Sequence, residues 1–173
     1  TFGEGSVTVS FGAHFQASDG FDAIFREGMA LVDRTAAYLD GPGRREAKGL
    51  KGPSTVLYAT ESMRLTTRLL DLASWLLIRR SFKEGEISED EAKLKRQRVK
   101  LQSFGRPSHI RGFADLPEGL RGLIEESFKL HDRIVQLDRA IAIGTSASDA
   151  AVDRPNPVGA QMSLLARAFT PKS

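Results

Sequence analysis

The stretch Tyr58–Phe82, YATESMRLTTRLLDLASWLLIRRSF, reads as one uninterrupted helix whose apolar surface widens along its length. Tyr58, Ser62, Leu65, Leu69, Leu72 and Leu76 alternate spacings of four and three, which places them in a single stripe suited to one or two partner helices. At ~100° per residue, Thr60, Glu61, Arg64, Thr67, Arg68 and Asp71 fall on the opposite face, and Trp75, Ile78 and Phe82 continue along that polar side. The polar side thus turns apolar halfway along. Something covers it from Trp75 onward, either the helix that starts at Ser88 folding back or a second subunit. Apolar surface in surplus of one seam points to an interaction protein before an enzyme.

Working outward, a first helix is expected from Asp19 to Leu39, capped by Ser18 or Asp19, with Phe21, Ile24, Phe25, Gly28, Leu31, Val32, Thr35 and Leu39 as its stripe. Gly28 lies inside that stripe, where a missing side chain lets a neighbour approach closely. Gly41, Pro42 and Gly43 stop or kink it, and GRREAKGLKGPS reads as a basic connection. Gly85 ends the central helix, and Ser88 with Glu91 forms a capping box that opens a further one. QSFGRPSHIRGFAD, 102–115, is a loop long enough to suggest a function. The last helix opens at Leu116 and Pro117, with a stripe of Leu120, Leu123, Ile124, Ser127, Phe128, His131, Ile134, Val135, Asp138 and Ile141.

The expected fold is all-α: an antiparallel three-helix bundle with an additional short helix and flexible N- and C-terminal segments. Residues 1–18 form the flexible arm, since VTVSF alternates like a strand with no second strand to pair with. Residues 19–143 form the bundle. Residues 144–173 form a flexible tail, small and polar at first and ending in a short apolar motif where Met162, Leu165 and Phe169 recur at spacings of three and four.

The length of 173 residues fits one domain, and a formal charge of +3 from 25 basic and 22 acidic residues is too mild alone to imply nucleic acid. With no cysteine, disulfides, thiolate metal sites and a cysteine nucleophile are excluded. The most apolar run, Leu69 to Ile78, is far shorter than the ~20 residues a membrane span needs and contains Asp71. No secretory signal is visible, so the expected location is cytoplasmic, without membrane insertion.

Motifs of catalysis are missing. The histidines, His14, His109 and His131, fall in separate segments and make neither HExxH nor Glu-x-x-His, the residue three before His131 being Phe128. No P-loop, G-x-G-x-x-G or G-x-S-x-G pattern occurs. No catalytic residue, metal or cofactor is therefore assigned. His131 and Asp138, a heptad apart with Ser127 a turn earlier, read as a satisfied core pair that fixes register, or else as a ligand-sensing site facing Ser62 and Tyr58. Lys93, Lys95, Arg96, Arg98 and Lys100 give a rival reading as a DNA-associated regulator. That helix opens with Glu89, Asp90 and Glu91, so the helix dipole accounts for its charge order without nucleic acid.

YATESMRLTTRLLDLASWLL, preceded by FREGMALVDRTAAYLDGPGRREAK and followed by LPEGLRGLIEESFKLHDRIVQLD, resembles the RcdA family of alphaproteobacteria, regulators of CtrA degradation; NPVGAQMSLLARAF is similar to that family's C-terminal end. The resemblance implies a non-enzymatic adaptor for the ClpXP protease in cell-cycle control, homodimeric, with a three-helix core and a flexible tail. A CpdR-like adaptor primes the protease, and the RcdA-type protein then brings it cargo. On this reading Trp75, Ile78 and Phe82 make the dimer or partner contact, Glu61, Arg64 and Arg68 supply specificity, and Met162, Leu165 and Phe169 reach a partner.

Overall fold

The structure, a computed structural model, describes residues 4–101, 105–152, 158–159 and 161–162, with side chains from residue 20 onward except at 148, 150, 151 and 152. Among the described residues five helices are delimited in order: α1 (Glu4–Asp40), α2 (Pro42–Lys48), α3 (Pro53–Lys83), α4 (Glu89–Gln97) and α5 (Glu118–Val152). Two 3-10 turns, Pro107–His109 and Phe113–Asp115, precede α5. No strand occurs among the described residues, so the all-α expectation holds. The chain forms two units, Thr1–Ile134 and Val135–Ser173.

Three long helices build the first unit. Phe21 of α1 meets Trp75 near the end of α3, and Asp22 pairs with Lys83 at 2.8 Å, so the start of the core stretch of α1 lies beside the end of α3. Along α5 the order is likewise reversed: Glu27 pairs with Arg133, Arg34 with Glu126, and Tyr38 packs over Gly119. Because α1 runs antiparallel to both, α3 and α5 run parallel, and the segment between them carries the chain back along the bundle. Leu65, Leu69, Leu72 and Leu76 of the α3 stripe are buried with Leu31 of α1 and Leu120, Ile124, Leu130 and Ile134 of α5. Leu130 is absent from the stripe read in the sequence. Gly28 does what its place predicts, since a Cβ there would lie 2.5 Å from Leu76 Cδ1.

The corner between α1 and α3 holds more structure than a basic connection. Gly41 breaks α1, and Pro42 starts α2 at once, because a first-turn proline has no N–H to leave unpaired. Gly43 is buried there: a Cβ on it would stand 2.6 Å from the Tyr58 hydroxyl and 2.8 Å from the Tyr38 carbonyl. Tyr38 donates to Glu46 at 2.5 Å and so ties α1 to α2. At the other end of α3, Gly85 takes φ 76°, and the Ser88–Glu91 capping box forms in both directions ahead of α4.

Helix boundaries depart from the sequence reading at both ends. α1 begins at Glu4 rather than Asp19, taking in the residues set apart as an arm. The alternation of VTVSF makes a strand only where another strand satisfies its backbone, and a helix satisfies it internally. α5 likewise runs past Gly144 to Val152 through alanines and serines that a helix accepts, with Thr145 Oγ1 donating to the Ile141 carbonyl at 3.0 Å.

Candidate functional site

α3 presents its polar side to an open cleft of about 840 Å³, walled on the far side by Lys100 and residues 105–111 and floored by α5. The helical period fixes which residues of α3 enter it: Thr60, Glu61, Arg64, Thr67, Arg68 and Asp71 all line the cleft. Leu57, Leu72, Ile110 and Phe128 add apolar surface. The cations are Arg64, Arg68, Lys100, Arg106 and Arg111, five against the two carboxylates Glu61 and Asp71.

Arg68 is held from below. Its guanidinium lies 3.8 Å above the centre of the Phe128 ring and donates to Ser127 Oγ at 2.7 Å. The Ser127 hydroxyl donates its own proton to the Ile124 carbonyl at 2.6 Å, which leaves an oxygen lone pair facing Arg68. Burial pushes the Arg68 guanidinium below its ordinary pKa, an effect that Glu61 opposes and Arg64 reinforces. Among the described residues no carboxylate forms an ion pair with it. Arg64 differs, since it reaches Glu61 at 2.8 Å, and Glu61 is 1% exposed. Arg106 pairs with Asp132 at 2.6 Å, and that hydrogen bond holds Asp132 below the usual carboxylate range.

His131 lies on the cleft floor, where it ties the far wall to α5. Its Nε2 and the Leu101 carbonyl are 2.7 Å apart, and its buried Nδ1 has no hydrogen-bond partner, with Asp132 Oδ1 at 3.7 Å. Of the expected register pair of His131 and Asp138, His131 spends its Nε2 on a loop carbonyl. Ser62 and Tyr58 do not face it. They line a separate hollow with Leu39, Arg44 and Lys48 at the α1–α2 corner.

The residues singled out in the sequence therefore divide. Glu61, Arg64 and Arg68 come together in the cleft, with Glu61 buried as the counter-charge. Trp75 is covered within the chain and not by a second subunit: it is 0% exposed, with its ring 6.4 Å from that of Phe21. Ile78 and Phe82 are half-buried, and Phe82 carries the Arg79 guanidinium over its ring at 4.9 Å. Met162 is exposed in the second unit, and Leu165 and Phe169 lie outside the described residues.

A second surface escaped the sequence reading. Val56, Met63, Leu70 and Leu77 recur every seventh residue on α3 and are 69, 72, 63 and 51% exposed. Ala59, Thr66, Thr67 and Ser74 lie exposed between them, so the strip is apolar or small and free of charge. Its seven-residue spacing was the available signal. The loop cations Arg106 and Arg111 and the end of the basic run, Lys100, were likewise missed as cleft residues, although the loop's length marked it. The start of that run is occupied within α4, where Lys93 pairs with Glu89 at 3.6 Å.

Among the described residues no group of His, Asp or Glu is placed to hold a metal, and no helix is long and apolar enough to cross a membrane. The family described as "Protein of unknown function (DUF1465)" matches residues 12–169. The crystal structure of RcdA from Caulobacter crescentus CB15 is 43% identical to this chain, covers 69% of it and 88% of its own length, and superposes with a TM-score of 0.57. No curated protein matches.

Proposed function

Since the chain belongs to the RcdA family, the family of unknown function DUF1465, we propose that it is a non-enzymatic adaptor that delivers selected regulatory proteins to the ClpXP protease in the bacterial cytoplasm. A CpdR-like adaptor works beside it in this reading, and cell-cycle control is the setting. Tethering raises the local concentration of cargo at the unfoldase and needs no bond chemistry. The observation that carries the reading is the cleft along α3. It gathers charged and apolar groups suited to grip a protein segment.

The exposed strip of α3 supports a homodimer. Turned antiparallel about a twofold axis near Thr66 and Thr67, two copies of α3 set Val56 against Leu77 and Met63 against Leu70, a self-complementary contact with small residues at the crossing. A strip of that length without charge is costly to leave in water.

The test is degradation in a lysate made from cells lacking this protein, supplied with ClpXP and a CpdR-like adaptor from the same organism. Mass spectrometry is expected to record a defined set of proteins that disappears only when the purified chain is added. An unchanged proteome over the working range of concentration overturns the adaptor reading.

A further inference from the structure

We propose that the cleft between α3 and the wall made by Lys100 and residues 105–111 binds an acidic segment of a partner protein, carboxylates against its cations and one bulky apolar side chain against its apolar lining. The inference rests on the adaptor reading and names the chemistry of what that adaptor grips.

The charges set the class of occupant. Internal pairs use Arg64, through Glu61, and Arg106, through Asp132. Arg68, Lys100 and Arg111 then remain without a carboxylate partner among the described residues, against Asp71 alone. Arg68 matters most, because this partly buried guanidinium donates to a neutral hydroxyl while Glu61, the carboxylate near it, is paired with Arg64, so it has lost hydration without a carboxylate of its own. An incoming carboxylate supplies that charge, and the Ser127 contact has already fixed the guanidinium in place.

The floor sets the rest. Leu57, Leu72, Ile110 and Phe128 surround the charges with apolar surface that a purely ionic ligand does not use. Nucleic acid fits less well. Among the described residues Phe128 is the one Phe, Tyr or Trp that lines the cleft, and Arg68 already lies over its ring. The five cations come from both walls of the cleft, Arg64 and Arg68 from α3 and Lys100, Arg106 and Arg111 from across it, with apolar residues between them.

The experiment uses fluorescence anisotropy on the full chain with a twelve-residue synthetic peptide of glutamates and aspartates around a central Leu-Phe. Its counterpart carries Gln and Asn in place of the acids, and a single-stranded oligonucleotide of equal charge is the third probe. The acidic peptide is expected to bind on the order of tenfold more tightly than the amide one, with an affinity that falls as salt rises. Lys100→Gln with Arg111→Gln, both on exposed side chains, is expected to remove that preference, as is Arg68→Gln provided its melting temperature is retained. Equal binding of the two peptides overturns the inference, as does insensitivity to the Lys100/Arg111 change or tighter, cleft-dependent binding of the oligonucleotide. The degradation assay separates the two readings. If the Lys100/Arg111 variant still delivers cargo and the wild-type chain ignores the acidic peptide, the inference falls and the adaptor stands; if the peptide binds and nothing is delivered, the adaptor falls and the cleft chemistry stands.

Discussion

The rings of Trp75 and Phe21 meet 6.4 Å apart at an interplanar angle of 56°, joining α3 to α1 around a tryptophan that water does not reach. Trp75 is thus a core residue by position. Trp75→Ala is expected to cost about 3 to 5 kcal/mol of stability, the range for emptying a buried aromatic site. Urea unfolding checks this. Loss of partner binding in a variant that keeps its unfolding midpoint would return Trp75 to the role of a surface anchor.

Two glycines of similar helical setting should respond oppositely to a methyl group. At Gly28 a Cβ would lie 2.5 Å from Leu76 Cδ1 and 3.5 Å from Leu130 Cδ2, and both leucines are buried, so neither has free space to move into. Gly28→Ala is expected to destabilise by about 1 to 2 kcal/mol, overpacking outweighing the gain in helix propensity. At Gly122 nothing lies within 4 Å. Gly122→Ala is expected to stabilise by about 0.4 to 1 kcal/mol through the lower entropy of the unfolded chain. Thermal melts of the two variants read both signs.

Acid is expected to loosen the bundle. Arg34, donating through two nitrogens at 3.1 and 2.5 Å, holds Glu126 below the usual carboxylate range, and Arg106 does the same for Asp132. A depressed folded pKa contributes stability that is present above the unfolded value and is lost as pH falls through the folded one. The urea midpoint should therefore decline between about pH 5 and pH 2. Combining Arg34→Met with Arg106→Met should make that decline shallower. At the alkaline end the sign reverses. Burial, helped by Glu46, raises the Tyr38 phenol, so its contribution is intact below about pH 10 and lost above it, a loss that Tyr38→Phe should abolish.

Local signals were legible where local physics decides. The Ser88–Glu91 box, the glycine at 85 and the leucines of the α3 stripe are each set by a few neighbouring residues, and each appears as read. What stayed hidden depends on neighbours far along the chain. Trp75 and Ile78 lie on one angular sector with the cleft residues, and only the position of α1 decides that Trp75 is core. Glu61 looks like any charge on a polar face until the loop and α5 close beside it and leave it 1% exposed. His131 was placed on the right stripe, but its partner is a backbone carbonyl, which no side-chain pattern reveals. α2 was missed because Gly41, Pro42 and Gly43 signal a stop, while the same proline also starts the next turn.

The exposed heptad on α3 gives the final prediction. Met63 and Leu70 are 72 and 63% exposed and lie at the middle of the strip, where a twofold axis would bring each against its counterpart. A charge at either place costs the single chain little, since exposed substitutions usually change stability by less than about 0.5 kcal/mol. In a dimer the same charge is desolvated and repeated across the axis, so it acts twice. Leu70→Glu is therefore expected to leave the urea midpoint of the monomer unchanged while sedimentation velocity shows the dimer replaced by monomer, and Met63→Glu should act alike. Leu94→Glu, an apolar site on α4 that is 61% exposed and off the strip, is the control and should leave assembly intact. If both α3 variants sediment as the wild type does, the second copy does not sit on this face, and the strip must meet a different protein.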